Sequence, residues 1–110
     1  MAGMTAKPQD DPVLKRFRAA LDEMYGPRLT RVVLFGSRAR GDAQPDSDYD
    51  VAVFLTPLGD RWKELDRLAD LRLKFLDETD AFFDVLPYDA SAYRERSPLM
   101  HDIRGEGLDL

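Results

Sequence analysis

The chain has 110 residues, of which 44% are hydrophobic and 34% charged, with a net charge of −5 and no cysteine. That size and balance describe one small folded domain built on a single core. They exclude disulfides, zinc–thiolate sites and a cysteine nucleophile, and the acidic balance argues against a broad basic face, so no direct nucleic-acid binding is expected.

No apolar run approaches the roughly 18 residues that a membrane span needs. The N-terminal stretch MAGMTAKPQDDP has no hydrophobic signal core, which predicts a cytoplasmic protein without membrane attachment. Residues 1–10 are polar, small and proline-containing, as a flexible tail would be, and residues 11–110 are expected to form one domain. Asp11–Pro12 reads as a helix start, with Asp11 as N-cap and Pro12 at the first helical position. Val13, Phe17, Leu21 and Met24 recur at helical spacing, and Gly26–Pro27 ends the helix.

Arg28 to Phe35 is rich in β-branched and bulky apolar residues and predicts a first strand. Gly36–Ser37 breaks it with a turn whose backbone can approach an anion closely. Ser37 to Gly41 is expected to form one short helical turn, and Asp42 to Ser47 a loop. Four arginines, Arg28, Arg31, Arg38 and Arg40, lie close in sequence and allow a local basic patch. Asp48–Tyr49–Asp50 then opens a second strand that runs to Leu55. Side chains alternate along a strand, so Asp48 and Asp50 project from one side and Tyr49 packs on the other.

Two adjacent carboxylates repel, and one keeps its proton unless a cation holds both ionised. Mg²⁺ is often held by one or two carboxylates together with substrate phosphates. A phosphate turn facing such a pair points to phosphoryl or nucleotidyl transfer.

Further along, Pro57–Leu58–Gly59–Asp60 predicts a turn capping a long helix from about Arg61 to Glu78. Its apolar positions, among them Trp62, Leu65, Leu68, Leu71, Leu73 and Phe75, exceed one core-facing stripe. The surplus suits either a helix wrapped on several sides or one that also meets a partner protein. Ala81 to Pro87 alternates and predicts a third strand, with Phe82, Asp84 and Leu86 on one face. An ionised aspartate inside an apolar strand is costly unless paired, hydrogen-bonded or metal-bound, which makes Asp84 the natural third carboxylate. Asp80 and Asp89 are the other acidic candidates there. Two short helices follow, over Asp89 to Arg96 and from Ser97–Pro98 to Arg104. Gly105 and Gly107 are expected to end the second, leaving a tail from Leu108 to Leu110. His101, the lone histidine, reads as a surface or packing residue.

The string Gly36-Ser37-Arg38-Ala39-Arg40-Gly41, followed by Ser47-Asp48-Tyr49-Asp50, resembles the signature of the polymerase-β-like nucleotidyltransferases, and in particular the minimal nucleotidyltransferases that act as antitoxins to HEPN-domain toxins. The resemblance implies an α/β (α+β) fold, a small mixed sheet with helices mainly on one face. It implies that Asp48, Asp50 and Asp84 bind Mg²⁺, and that Asp84 also accepts the proton of the attacking hydroxyl. Gly36 and Ser37 would cradle phosphates of ATP, Ser37 either bonding phosphate or capping its short helix. Arg40 is expected to contact phosphate, with the role of Arg38 left open.

The acceptor implied is a hydroxyl, expected to be a tyrosine, on a HEPN ribonuclease toxin that AMP transfer would silence. The alternatives are an antitoxin that acts by occlusion without catalysis, or a small-molecule nucleotidyltransferase, against which the short chain counts.

Overall fold

The carboxylate of Asp11 accepts the Val13 amide at 2.8 Å and so caps the first helix, with Pro12 supplying a preset φ at its first position. In a computed structural model describing residues 10–110, this helix, α1, spans Pro12–Tyr25. The expected tail lies outside the described residues, apart from Asp10. The buried stripe of α1 is Leu14, Phe17, Leu21 and Tyr25. Val13 and Met24, expected to face inward, flank it half-buried. Both sets have helical spacing; the inner one is decided by which side chains meet the sheet.

A short 3₁₀ turn over Gly26–Arg28 leads into β1 (Leu29–Phe35), and a four-residue helix α2 (Ser37–Arg40) follows. β2 covers Tyr49–Leu55, α3 Arg61–Thr79 and β3 Phe83–Asp89. A 3₁₀ segment over Ala90–Arg94 stands where a short helix was expected to run to Arg96, and α4 covers Pro98–Glu106. Gly105 lies inside α4, and only Gly107 stops it. Residues 108–110, expected as a free tail, instead supply an edge strand, β4 (Leu108–Asp109), which pairs antiparallel with Val33 and Leu34 of β1. Two residues carry too little periodicity to announce a strand; the open edge of β1 organises them.

The sheet order is β3-β2-β1-β4. β1 and β2 pair antiparallel, whereas β2 and β3 pair parallel with α3 as the crossover, since a parallel pair needs a long connection. Val32, Leu34, Val51, Val53 and Val85 face α1 and α3 in the larger core. Val33, Ala52 and Phe54 point to the other face, where Met100 and Ile103 of α4 cover them. Thus the sheet is mixed, with its two long helices on one face, as expected. Phe83 stacks on Phe17 at 4.0 Å and on Tyr49 at 4.7 Å between ring centroids. Full burial of each large apolar side chain in such a core contributes about 1.5–3 kcal/mol.

Proline is tolerated at Pro87 because β3 is an edge strand. Arg61 donates to its carbonyl at 3.2 Å, and Arg72 donates to the Phe83 carbonyl at 2.6 Å.

At the opposite end of the sheet from Phe35, the α3 residue Glu64 is only 2% exposed. Arg28 donates to its carboxylate at 3.0 Å and also to the Pro57 and Leu58 carbonyls. Nothing in the helical pattern sets this glutamate apart, because it occupies a position that periodicity assigns to an apolar residue.

Candidate functional site

The strand ends of β1, β2 and β3 meet at one end of the sheet. In the β1–β2 register Phe35 stands opposite Asp50, so the turn at Gly36 lies beside that carboxylate. Gly36 has φ +74°, a conformation that side chains rarely adopt, and a β-carbon there would overlap the Asp50 Oδ2 atom. Glycine is therefore required twice over, once for the backbone and once for space. Gly36 is also the N-cap of α2, with its carbonyl accepting the Ala39 and Arg40 amides at 3.1 Å each. Ser37, half-buried, does not cap the helix, and its hydroxyl has no partner among the described residues.

In the β2–β3 register Asp50 is paired directly with Asp84. Directly opposed residues on neighbouring strands share a face, so the two carboxylates stand side by side. Asp48 is the last residue before β2 rather than its first. The exposure pattern of Asp48–Tyr49–Asp50 is exposed, buried, half-buried, so the tyrosine goes into the core while both acids stay outside it.

Asp84 is exposed rather than sunk in the apolar strand. The desolvation cost that singled it out in the sequence is thus not incurred; its register with Asp50 is what brings it to the site. Partial burial, then Asp84, then Asp48, push the Asp50 carboxyl above the usual carboxylate range, and Arg40 opposes this. Among the described residues no three acidic or histidine side chains converge at metal-ligand distance. Asp80 is the left-handed C-cap of α3, and Asp89 accepts from the Leu58 amide and from Ser91. Those hydrogen bonds hold the Asp89 carboxyl below its ordinary range and account for it structurally.

The four arginines that allow a local basic patch do not gather into one. Arg28 is bound at the far end of the sheet, and Arg31 pairs with Asp109 and lies over the Tyr93 ring at 4.1 Å. Arg40 is exposed and paired with Asp42 at 3.3 Å and Glu106 at 3.4 Å. Arg38 has a positioning role. Its guanidinium donates to the Ser47 carbonyl from Nε at 2.9 Å and Nη2 at 2.7 Å, and to the Pro45 carbonyl at 3.2 Å. It lies 4.0 Å over the Tyr49 ring, and the Tyr49 hydroxyl donates to Asp11 Oδ2 at 2.6 Å. Burial first, then the bond to Asp11, push that phenol up to about 12. A continuous chain of contacts from the α1 cap therefore fixes the loop that delivers Asp48. Sequence spacing carries no trace of it, because carbonyl acceptors are not encoded in residue type.

The geometry is thus a glycine turn packed on a carboxylate, with a second carboxylate in register and a third at the mouth of the strand. Residues 14–101 match the nucleotidyltransferase domain family. Two proteins of Methanocaldococcus jannaschii, both provisionally named protein adenylyltransferases, are similar in sequence. MJ0604 is 36% identical over 67 residues, which is 61% of this chain and 61% of that protein, and MJ0141 is 40% identical over 43 residues, 39% of this chain and 43% of that protein. The matched stretches therefore span less than two thirds of either relative.

Among solved structures, a toxin–antitoxin with AMP-PNP superposes with a TM-score of 0.58 at 23% identity, covering 86% of this chain and 70% of the other. A variant of the toxin–antitoxin MntA–HpeT gives 0.57 at 21% identity, with the same coverages. At such identity these likenesses establish the fold. With a family match running from α1 into α4, the chain belongs to the nucleotidyltransferase domain family.

Proposed function

We propose that this chain is a minimal nucleotidyltransferase of one domain, residues 11–110, that transfers AMP from ATP to a hydroxyl of a partner protein. The observation that carries this reading is the register of Asp50 with Asp84 beside the Gly36 turn. The donor set fits a divalent cation. It is all carboxylate oxygen, the choice of hard ions such as Mg²⁺, and partial burial, followed by the like charges of Asp84 and Asp48, already raises Asp50. Asp48 and Asp84 are exposed and free to change rotamer. Asp48, Asp50 and Asp84 would hold the ion, which supplies charge neutralisation for the nucleotide phosphates.

The Gly36 backbone and the Ser37 hydroxyl line the place where the phosphates would lie, and Arg40 would exchange its surface carboxylates for phosphate oxygens. Asp84 accepts the proton of the acceptor hydroxyl. That oxygen bonds to the α-phosphorus, the bond to the bridging oxygen breaks, and pyrophosphate leaves. Positioning and electrostatics supply most of the rate.

The partner is proposed to be a HEPN-domain toxin modified on a tyrosine. This rests on the resemblance of the Gly36–Gly41 and Ser47–Asp50 motifs, and on the fold shared with toxin–antitoxin proteins. Intact mass of the product of the adjacent reading frame, after incubation with this protein, ATP and Mg²⁺, tests it. The expected result is a gain of AMP units that disappears with Asp48→Asn/Asp50→Asn. Neutralisation of the partner that survives this double variant without a mass change would replace the proposal with occlusion, a reading favoured by the apolar side chains that α3 exposes.

A further inference from the structure

α3 has two apolar sides. Leu68, Leu71 and Phe75 face the sheet. On the opposite side Trp62 is 77% and Leu73 64% exposed, and Phe82, just past the helix, is 57% exposed. At 3.6 residues per turn Trp62, Ala69 and Leu73 fall in one lane along the helix. Leu73, Leu76 and Phe82 line an open groove of about 320 Å³ between α3 and the start of β3, with Arg72 at its wall. Exposed large apolar groups gathered in a lane mark an interaction surface, unlike the same groups scattered singly.

Two features identify the occupant. The neighbouring edge strand is poorly suited to strand addition: Arg72 takes the Phe83 carbonyl, Arg61 takes the Pro87 carbonyl, and Pro87 has no N–H to offer, which leaves Val85 between them as the outward residue still able to pair. Side-chain docking remains, in the manner of a helix laid in a groove. Asp66, Asp70 and Asp77, all exposed, run along one border of the lane at helical spacing. A second copy packed antiparallel would set this acidic border against its own, and in any orientation it adds a net charge of −5 to −5, so self-pairing is opposed.

We infer that the Trp62–Leu73–Phe82 lane docks an amphipathic helix of the partner protein, one whose apolar stripe is bordered by lysine or arginine where it meets Asp66, Asp70 and Asp77. This deepens the proposal of a protein acceptor and rests on it. Phe82 and Phe83 line the groove and lead directly into Asp84, whose side chain leaves the opposite face of β3 from Phe83, so the groove lies beside the strand end that carries the proposed site.

Trp62 is the single tryptophan and reports from inside the lane. The probe is a synthetic amphipathic helical peptide with a leucine stripe and a lysine border, compared with its glutamate-border isomer. The lysine peptide is expected to move Trp62 emission to shorter wavelength saturably, more weakly at high salt. Leu73→Glu should bind it roughly tenfold less tightly. Asp66→Asn/Asp70→Asn/Asp77→Asn should abolish the preference over the isomer, while circular dichroism stays unchanged in both variants.

Equal binding of the glutamate isomer, or binding unaffected by Leu73→Glu, overturns the inference. So does an emission shift that follows protein concentration alone, which would mean a second copy. Nucleotide and metal are absent from this titration, so its failure leaves AMP transfer standing. Conversely, an absence of transfer with peptide binding intact removes only the activity.

Discussion

Gly36 and Asp50 compete for one space: a methyl group on the glycine would occupy the position of the Asp50 Oδ2 atom. Gly36→Ala is therefore expected to act in two ways. The backbone at φ +74° and ψ −157° lies in a region essentially reserved for glycine and costs an L-residue about 1–3 kcal/mol, and the displaced carboxylate loses its placement, worth on the order of 10²-fold in rate. A melting curve and a transfer assay separate the two. A variant that melts normally and transfers at the wild-type rate would show that the close approach has no function.

The Arg38 fork predicts local, rather than global, loosening. Arg38→Ala should speed hydrogen exchange over residues 42–48, with the strands unaffected, and should weaken activation by Mg²⁺ about tenfold or more. Arg38→Lys keeps the charge but loses the planar fork over Tyr49 and toward Ser47, so it is expected to rescue little. Full rescue by lysine would reduce the role of Arg38 to charge alone.

Asp50 should make the fold less stable at neutral pH than its amide would. Its folded-state carboxyl is raised above the ordinary value by burial and by Asp84 and Asp48, so between the unfolded and folded values the folded state binds more protons. Stability then declines as pH rises through that window, and the penalty is complete above it. Asp50→Asn is expected to raise the melting temperature at pH 7, and the difference should shrink as pH falls toward the ordinary carboxylate range. The same variant should lose at least ~10²-fold in transfer rate. A melting temperature lower than wild type at pH 7 would contradict the like-charge account.

At the other end of the sheet, Arg28 compensates a buried Glu64. Among the described residues Arg28→Ala leaves that carboxylate with only the more distant Arg67, at 3.5 Å, and should cost about 3 kcal/mol, the low end for a broken buried pair because Arg28 is itself half-exposed. Adding Glu64→Met to the same variant should recover much of the loss in urea unfolding, because the uncompensated charge is gone. An additive double variant would show that the pair is not coupled. The nearby Tyr25 hydroxyl, buried without a hydrogen-bond partner among the described residues and pushed upward first by burial and then by Glu64, belongs to the same cluster.

The carriers of the proposed chemistry were legible in the residue order. Gly36–Ser37 and the Asp48–Tyr49–Asp50 triplet stand out because turn chemistry and strand alternation act over a few residues, and Asp11–Pro12, Asp60 and Ser97–Pro98 announce their helices for the same local reason. Position across the sheet was not legible. Residue order marks Asp84 as a costly charge within an apolar strand, yet it is exposed, and it reaches the site because β3 pairs with β2 so that Asp84 meets Asp50. Register is a choice among long-range hydrogen-bond pairings, which no short window of sequence contains.

The same holds for Arg38, whose partners are carbonyl oxygens, for Glu64, whose counter-ion lies 36 residues away, and for β4, which exists only because β1 offers it an edge. The main helices, the first three strands, the glycine turn and the acidic motif can be read from residue order, since these depend on backbone preference and spacing. That Asp84 joins the face of Asp50, which partners each arginine takes, and which side of α3 is left apolar toward solvent are settled by packing, because those contacts exist only once the sheet has formed.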